Sequence, residues 1–304
     1  MRNEKLISSK IGEIAALTTA ICWAVMGMFF ESAGKRVGSL AVNFIRLVFG
    51  FLFISIFTYF VRGHFFPVDA TLHNWTWLSI SGAIGFFLGD LFLFQAYIEI
   101  GTRISLLILA SSPPLTALLG FIFLKEKVSI LGVLGMFVTF LGIALVILSK
   151  DTGERKFKFT HSIKGLIYAF LGAIGQSVGT IFSKVGMNGY NAFASTQIRI
   201  ISGFFSFVIL FLFLNRWSDL KEALKDKRAM ILIAVGAILG PFLGVSLQLI
   251  SLQYTTAGVS ATIISIMPII IIPFSIIIYK EKITAKEILG AVLSVLGVGV
   301  LFLI

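Results

Sequence analysis

Charged residues are scarce in this chain of 304 residues, at 13% of the total, whereas soluble domains carry about 25%. Hydrophobic residues make up 58%, and the mean hydropathy is +1.01. These proportions exclude a soluble globular enzyme, a disordered chain and a scaffold held by disulfides. A transmembrane helix and its loop take about 25–30 residues, since about 20 apolar residues cross a bilayer. The length therefore allows about ten spans and leaves no room for an ordinary soluble catalytic domain.

Cysteine and histidine are also rare, which limits the chemistry of the chain. The single cysteine, Cys22, lies in the first apolar run, and the three histidines are scattered through polar connections. The sequence therefore predicts no intramolecular disulfide, no metal site and no cofactor. No Gly-x4-Gly-Lys-Ser/Thr segment supports ATP-driven pumping. A membrane enzyme would need several acids or histidines at one depth, but only Asp90 lies deep in a span, so we expect no enzymatic activity.

The net charge of +11 would indicate nucleic-acid binding in a soluble domain. In this chain the lysines and arginines lie almost entirely between apolar runs, where they orient helices and meet anionic lipid headgroups. We therefore expect membrane lipids as partners and no nucleic acid.

Long apolar runs separated by short polar segments predict ten transmembrane helices. Only helices and closed barrels can satisfy the backbone in lipid, and runs of this length are helical. We interpret the first run as a retained span, because no clear small-residue cleavage site follows the basic N-terminal segment. The predicted spans are 14–30, 39–61, 75–98, 103–124, 129–148, 163–184, 191–214, 229–252, 256–279 and 284–304.

The second half of the sequence repeats the first. With a shift of 155 residues, Pro113 aligns with Pro268, and the Lys-Glu-Lys triplet at 125–127 aligns with the triplet at 280–282. Chance agreement of such residues at one shift is improbable. The sequence therefore predicts two five-helix units, at 1–150 and 151–304. Further pairs at the same shift are Gly89 with Gly244, Gly135 with Gly290 and Gly142 with Gly297.

An odd number of helices in each unit has a topological consequence. Short loops make consecutive helices antiparallel, so the second unit must enter the membrane from the opposite side. The predicted fold is an all-α integral membrane protein of ten transmembrane helices, built from two inverted five-helix repeats. Transporters that work by alternating access commonly have this architecture, with the substrate site near the midplane between the repeats.

Small residues and prolines interrupt the predicted spans. Stripes of small residues at every fourth position allow close helix approach, either as a static packing seam or as a surface that moves. Prolines within a span should kink the helix or break its hydrogen bonding. The stripes are Ser81, Gly85 and Gly89 in the third span and Gly236, Gly240 and Gly244 in the eighth; the prolines are Pro113, Pro114, Pro241, Pro268 and Pro273.

Two kinds of segment, each present twice in the same order, carry a family resemblance. One kind is Asn-Phe-Ile-Arg46-Leu-Val-Phe-Gly and Thr-Gln-Ile-Arg199-Ile-Ile-Ser-Gly; the other runs from Pro113 to Glu126 and from Pro268 to Glu281. With them the chain resembles, over nearly its whole length, the EamA-type, ten-helix branch of the drug/metabolite transporter superfamily. The resemblance implies a secondary carrier or facilitator, often an exporter of amino acids or other small metabolites. It also implies a cavity lined by helices one, three, four, six, eight and nine.

Ionisable residues inside a span cost about 2.5–3.5 kcal/mol each on insertion scales, so each needs a reason. Asp90 is either a cavity carboxylate that meets a cation or takes up a proton, or the satisfied partner of an arginine or of helix ends. Arg46 and Arg199 lie at equivalent positions of the two repeats. They are either a clamp for a substrate carboxylate or scaffold residues that bond carbonyls or acids, and their symmetry favours the scaffold.

Uncharged polar residues cluster on the helices that should line the cavity. Gln176 and Thr180 lie at helical spacing in the sixth span, and Trp23 is the repeat equivalent of Gln176. Such residues can also serve as hydrogen bonds between helices. The residues that we predict to bind substrate are Asp90, Trp23, Gln176, Thr180, Gln248 and Ser111.

The sequence thus predicts a secondary transporter, an exporter or facilitator, that moves a small polar metabolite such as an amino acid across the cell membrane and can work as a monomer. The alternatives are an integral-membrane enzyme and a membrane protein that transports nothing. The charge count favours both termini outside, with the connections 150–164 and 215–228 in the cytoplasm. The family resemblance implies both termini in the cytoplasm, so the orientation stays open.

Overall fold

A computed structural model describes residues 2–124, 129–147, 162–254, 257–280 and 283–302, and within these ranges the chain forms helices and no β-strand. The predicted boundary at 150/151 lies outside the described residues, as do Glu126 and Glu281. The first half forms α1 (Arg2–Val37), α2 (Ser39–Arg62), α3 (Leu72–Gly82), a π-helical segment (Ala83–Gly89), α4 (Asp90–Leu109), α5 (Ser112–Leu124) and α6 (Ile130–Ile147).

The second half follows the same order, with one helix added between its second and third spans and with two helices in the place of α4. Its elements are α7 (Ile163–Met187), α8 (Ala192–Leu214), α9 (Trp217–Lys225), α10 (Lys227–Ala237), a π-helical segment (Ile238–Gly244), α11 (Val245–Tyr254), α12 (Ala257–Ile264), α13 (Met267–Tyr279) and α14 (Ala285–Phe302).

The helices are interrupted at equivalent places in the two halves. The π-helical segments lie 155 residues apart, which is the shift that aligns the sequences. A two-residue turn separates α4 from α5 at 110–111, and another separates α12 from α13 at 265–266. Pro113 and Pro268 therefore lie in the first turn of a new helix, where the missing N–H of proline leaves no bond unmade. The predicted breaks at these prolines are present, and the two-repeat architecture is confirmed.

Eight described helices are long and apolar enough to cross a membrane, and Ser112–Phe123 is a shorter apolar helix. The helix Leu72–Leu109 has 38 residues and would reach about 57 Å at 1.5 Å per residue, nearly twice the ~30 Å hydrocarbon core. Gly101 breaks it with φ 79° and ψ 159°, a conformation that glycine adopts without strain. The two parts correspond to the third and fourth predicted spans.

Helix α9 was not expected from the sequence, where 215–228 reads as a polar connection. It is amphipathic, with Leu220 and Ala223 buried and its lysines exposed. The Trp217 ring packs 5.5 Å from that of Phe211 and 6.0 Å from that of Phe44. Aromatic packing therefore holds this helix against α2 and α8 at one end of the bundle.

At the other end, polar contacts tie the loop after α2 to the turn between α7 and α8. The carboxylate of Asp69 pairs with Arg62 and accepts a hydrogen bond of 2.7 Å from the Tyr190 hydroxyl. Partial burial disfavours the charged form of Asp69, but the Tyr190 hydrogen bond and the Arg62 guanidinium outweigh it and lower the pKa of the carboxyl. Burial and the same hydrogen bond raise the pKa of Tyr190 to about 12. The network therefore stays intact at neutral pH.

The last helices of the two halves, α6 and α14, pack on each other through small residues. A Cβ on Gly142 would lie 2.6 Å from the carbonyl oxygen of Gly290, and a Cβ on Gly297 would lie 2.6 Å from that of Gly135. Each side of this contact repeats the other at the 155-residue shift. Close approach through small residues is the usual way in which membrane helices associate, because lipid provides no hydrophobic drive between them.

The third and sixth spans also meet through glycines, and this contact uses the predicted stripe. A Cβ on Gly175 would lie 2.5 Å from the Cα of Gly89, and one on Gly179 would lie 3.0 Å from the Cα of Gly85. The Ser81 hydroxyl donates to the Gly179 carbonyl at 2.6 Å. This stripe is therefore a packing seam between the two halves. The second stripe differs, because its glycines face the side chains of α1, among them Phe30 and Met26.

We predict that Gly175→Val destabilises the protein, because the added side chain must push α7 away from the π-helical segment. Overpacking of this kind costs about 1–3 kcal/mol. Thermal unfolding of the detergent-purified protein, followed by tryptophan fluorescence, measures the effect. The neighbouring substitution Ile174→Val, on a side chain that is 37% exposed, is the control and should leave the transition unchanged. Equal transitions for the two variants would contradict the seam.

Candidate functional site

A cavity of about 100 Å³ lies between the two halves of the molecule. Its walls come from α1, from the α4–α5 break, from α7 and from α11–α13. Apolar side chains make up much of the wall, and polar groups are placed among them. The polar lining residues are Trp23, Ser112, Thr116, Gln176, Thr180, Lys184, Gln248, Ser260 and Ser265.

The two glutamine amides are the most versatile hydrogen-bonding groups of this cavity. Within the described residues, the side chains of Gln176 and Gln248 make no hydrogen bond to the protein. The hydroxyl of Thr180, in contrast, is already engaged, because it donates to the backbone carbonyl of Gln176 at 2.8 Å. Each amide offers two donors and an acceptor. The cavity can therefore bind a molecule that carries both donors and acceptors.

A smaller recess of about 20 Å³ adjoins the cavity and shares Trp23, Leu109 and Gln176 with it. Arg46 and Asp90 line this recess and are 2% and 5% exposed. The Nη2 atom of Arg46 lies 2.6 Å from Oδ2 of Asp90. A buried carboxylate without a partner would be very costly, so this ion pair is what allows Asp90 to be charged between helices.

The π-helical segment prepares a second acceptor for the same arginine. The N–H of Asp90 donates to the carbonyls of Gly85 and Phe87. The carbonyl of Phe86, which an α-helix would pair with that N–H, accepts instead from Nη2 of Arg46 at 3.1 Å. A local shift of the helical hydrogen bonds thus turns a backbone carbonyl toward a charged group, and such π-helical bulges occur frequently at functional sites.

Asn43 completes the link between α2 and this segment. Its side-chain oxygen accepts from Nε of Arg46 at 3.0 Å, and its Nδ2 donates to the carbonyl of Asp90 at 3.2 Å. The guanidinium also lies over the Phe94 ring, 4.6 Å from its centroid. The second copy keeps the π-helical segment, with the N–H of Val245 donating to the Gly240 carbonyl. Valine at this position means that the ion pair exists in the first half alone.

Arg199 occupies the equivalent position in the second half but has different surroundings. It is 2% exposed, and its guanidinium lies 4.7 Å from the centroid of the Phe86 ring. In the described part of the chain it has no ion pair, and its Nε has no hydrogen-bond partner. A Cβ on Gly82 would lie 2.8 Å from the Cα of Arg199, so the backbones of α3 and α8 are in contact here. Arg199 thus lies in the packing between the halves, outside the lining of either cavity.

The structure brings most of the predicted substrate-binding residues together. Four of them line the main cavity, while Asp90 and Arg46 line the recess. Ser111 lines neither; it is 1% exposed, and its hydroxyl has no partner among the described residues. The adjacent Ser112 lines the cavity, because the chain turns at 110–111 and α5 starts there. The four residues in the main cavity are Trp23, Gln176, Thr180 and Gln248.

Sequence reasoning missed Lys184 and Thr116. Lys184 follows Thr180 by four residues and Gln176 by eight, so helical spacing could have added it to that stripe. Its position as the last residue of the predicted span 163–184 made it a surface charge rather than a lining residue. Thr116 lies one turn after Ser112 on α5. A single threonine in an apolar run does not indicate a cavity-lining position, so the sequence could not predict it.

The lining determines which molecules the cavity suits. Among the described lining residues, Lys184 is charged and no carboxylate is present. Groups of three or more histidine, cysteine or acidic residues that could hold a metal are not found among the described residues. Because these described lining residues include no carboxylate, the cavity suits neutral or zwitterionic polar molecules better than cations.

Comparison with known proteins agrees with the fold. The model of the EamA-like transporter family matches residues 10–148 and again residues 163–303. An uncharacterized transporter from Archaeoglobus fulgidus is 22% identical over 290 residues, which are 95% of this chain and 97% of that protein. The uncharacterized transporter YxxF from Bacillus subtilis is 26% identical over 227 residues, which are 73% and 70% of the two chains. A solved crystal structure superposes with a TM-score of 0.66 and 16% identity over 96% of each chain, which shows a shared fold.

We predict that Arg46→Ala destabilises the protein strongly, because it leaves the buried Asp90 carboxylate without a partner. The loss of one member of a buried ion pair costs about 3–5 kcal/mol. Arg216→Ala removes one member of an exposed pair, with Asp219, and should cost no more than about 1 kcal/mol. Thermal unfolding of both variants in detergent provides the comparison.

The double variant Arg46→Met/Asp90→Leu separates the lost partner from lost packing. It should unfold at a higher temperature than Arg46→Ala, since both members of the pair are removed together and no carboxylate is left buried at position 90. If Arg46→Ala is as stable as Arg216→Ala, Asp90 does not depend on Arg46.

Proposed function

Because the chain belongs to the EamA-like transporter family, we propose that it is a secondary transporter, an exporter or facilitator, of a small polar metabolite such as an amino acid. The observation that carries this proposal is the cavity between the two halves, which amides and hydroxyls line. Trp23 comes from the first half, and Gln176 and Gln248 come from the second. A molecule bound among them would contact both repeats at once.

The lining supports a substrate that is polar but not cationic. Glutamine amides and serine and threonine hydroxyls can satisfy hydroxyl, amide, carboxylate and ammonium groups of a small metabolite. The face of Trp23 and the apolar walls suit the carbon skeleton of such a molecule. An amino acid without a charged side chain combines these features, and we propose this class as the first to test.

We propose that transport proceeds by alternating access, with the two repeats in inverted orientation in the cell membrane. The π-helical segments at 83–89 and 238–244 and the turns at 110–111 and 265–266 are matched interruptions. Helices bend at such sites more readily than in regular α-helix, because the local hydrogen bonds are already irregular. Each repeat thus has two hinges near the cavity, one π-helical segment and one two-residue turn.

For Asp90, the Arg46 pair favours the role of a satisfied partner over that of a free cation-binding group. Its place in the recess next to Trp23 and Gln176 still allows it to take part in coupling. Asp90→Asn distinguishes the two roles, provided that the variant is expressed normally. A transporter coupled through Asp90 loses its pH dependence or its uphill transport in this variant. With a structural role alone, the folded fraction of Asp90→Asn keeps the pH dependence and the uphill transport of the parent protein, and the unpaired Arg46 only lowers its unfolding temperature.

We predict that the protein moves a polar metabolite across the membrane of proteoliposomes and that Thr180→Val impairs this transport. Loss of one hydrogen bond costs about 0.5–1.5 kcal/mol, which corresponds to an increase of about two- to tenfold in the half-saturating concentration. A panel of radiolabelled neutral amino acids and other metabolites identifies the substrate, with empty vesicles as the blank.

Thr18→Val is the matched control. The Thr18 hydroxyl also donates to the carbonyl four residues earlier, at 2.8 Å, but Thr18 is exposed on α1 and does not line the cavity. Transport by this variant should equal that of the parent protein. Equal impairment by the two threonine variants would exclude the cavity as the binding site, and no uptake of any metabolite would contradict the proposed function.

A further inference from the structure

A groove of about 470 Å³ opens on the side of the bundle, between α1, α10 and α13. Its charged end is formed by Arg36 and Arg228, and its walls include Phe29, Leu232 and Phe274. We refer to it as the lateral groove. It is separate from the cavity between the halves, since none of its lining residues lines that cavity or the recess.

The residues of the lateral groove are ordered by depth. On α1 they follow one helical face from Arg36 at its end to Val25 in its interior. Val25 and Arg36 are eleven positions apart, which corresponds to about 16 Å at 1.5 Å per residue and to about half of the ~30 Å hydrocarbon core of a bilayer. The groove therefore has its charged end at the end of the first apolar span, and its apolar length matches one leaflet.

The charged end carries an excess of positive charge. Nε of Arg36 donates to Oδ2 of Asp226 at 2.8 Å, and Oδ1 of Asp226 caps α10 by accepting from the N–H of Ala229 at 3.0 Å. Both oxygens of this carboxylate are thus engaged. Among the described residues Arg228 has no ion pair. Among the described residues, two guanidinium groups and one acid therefore leave one positive charge of this end without an acidic partner.

We propose that the lateral groove binds an anionic phospholipid, with the phosphate at Arg36 and Arg228 and an acyl chain along Phe29, Leu232 and Phe274. Guanidinium groups suit phosphate because they offer paired N–H donors in a fixed plane. Basic pockets between transmembrane helices are typical sites for anionic headgroups. The groove joins α1 of the first half to α10 and α13 of the second, so the bound lipid contacts both repeats.

Native mass spectrometry of the purified protein, with equal amounts of phosphatidylglycerol and phosphatidylcholine of the same acyl chains, tests this site. We expect phosphatidylglycerol to be retained preferentially by the parent protein. Arg36→Gln/Arg228→Gln should lower the ratio of bound phosphatidylglycerol to bound phosphatidylcholine at least fivefold. The matched control is Arg216→Gln/Lys221→Gln, which also removes two positive charges. Arg216 lies at the start of α9 and Lys221 lies within it, both outside the groove, so this variant should leave the ratio unchanged.

Leu232→Trp tests the acyl part of the site without changing any charge. The larger side chain fills the groove, so it should reduce retention of phosphatidylglycerol although both arginines remain. Thermal unfolding verifies that each variant is folded. If Arg36→Gln/Arg228→Gln does not fold, the single variant Arg228→Gln takes its place. Equal retention of the two lipids by the parent protein overturns the proposal. An equal effect of the control variant, or no effect of Leu232→Trp, also overturns it.

Discussion

A carboxylate that is buried among membrane helices has to be neutralised nearby, and much of the centre of this molecule is arranged around Asp90 for that reason. Arg46 supplies the opposite charge at 2.6 Å. Asn43 orients the arginine, and the π-helical segment exposes the Phe86 carbonyl to it. These contacts fix α2 against the third span, and the third span in turn forms the glycine seam with α7. The position of the first half against the second therefore depends on this ion pair.

Repetition of the five-helix unit gives the molecule matched parts with different uses. The π-helical segments are at equivalent positions, but Asp90 follows one and Val245 follows the other. Arg46 bonds an acid and a carbonyl, while Arg199 stacks on Phe86. Duplication therefore conserved the backbone geometry, which close packing requires, and allowed the polar groups to diverge. One cavity with an asymmetric lining is the result.

The sequence predicted the features that depend on spacing along the chain. Apolar runs predicted the helices, aligned glycines and prolines predicted the repeat, and helical spacing placed Gln176 and Thr180 on one helix face.

Features that depend on contact between distant segments could not be predicted from the sequence. The partner of Asp90 could not be chosen between two equivalent arginines. Pro241 indicated an interruption in the π-helical segment at 238–244, but the segment at 83–89 contains no proline and could not be predicted in this way. The lateral groove needs α1 beside α10, which are separated by most of the chain. Helix α9 was missed because its apolar face, Trp217, Leu220 and Ala223, is short and surrounded by lysines.

The central claim is that one cavity, with Trp23 and Gln176 from opposite halves in its lining, binds the transported molecule. Trp23 can report on this directly, because the chain has only four tryptophans and three can be replaced by phenylalanine, at Trp75, Trp77 and Trp217. In that single-tryptophan protein, a metabolite that the protein transports should change the Trp23 emission saturably, and Gln176→Leu should abolish the change. A metabolite that is transported but leaves the Trp23 emission unaltered at saturating concentration would contradict the account.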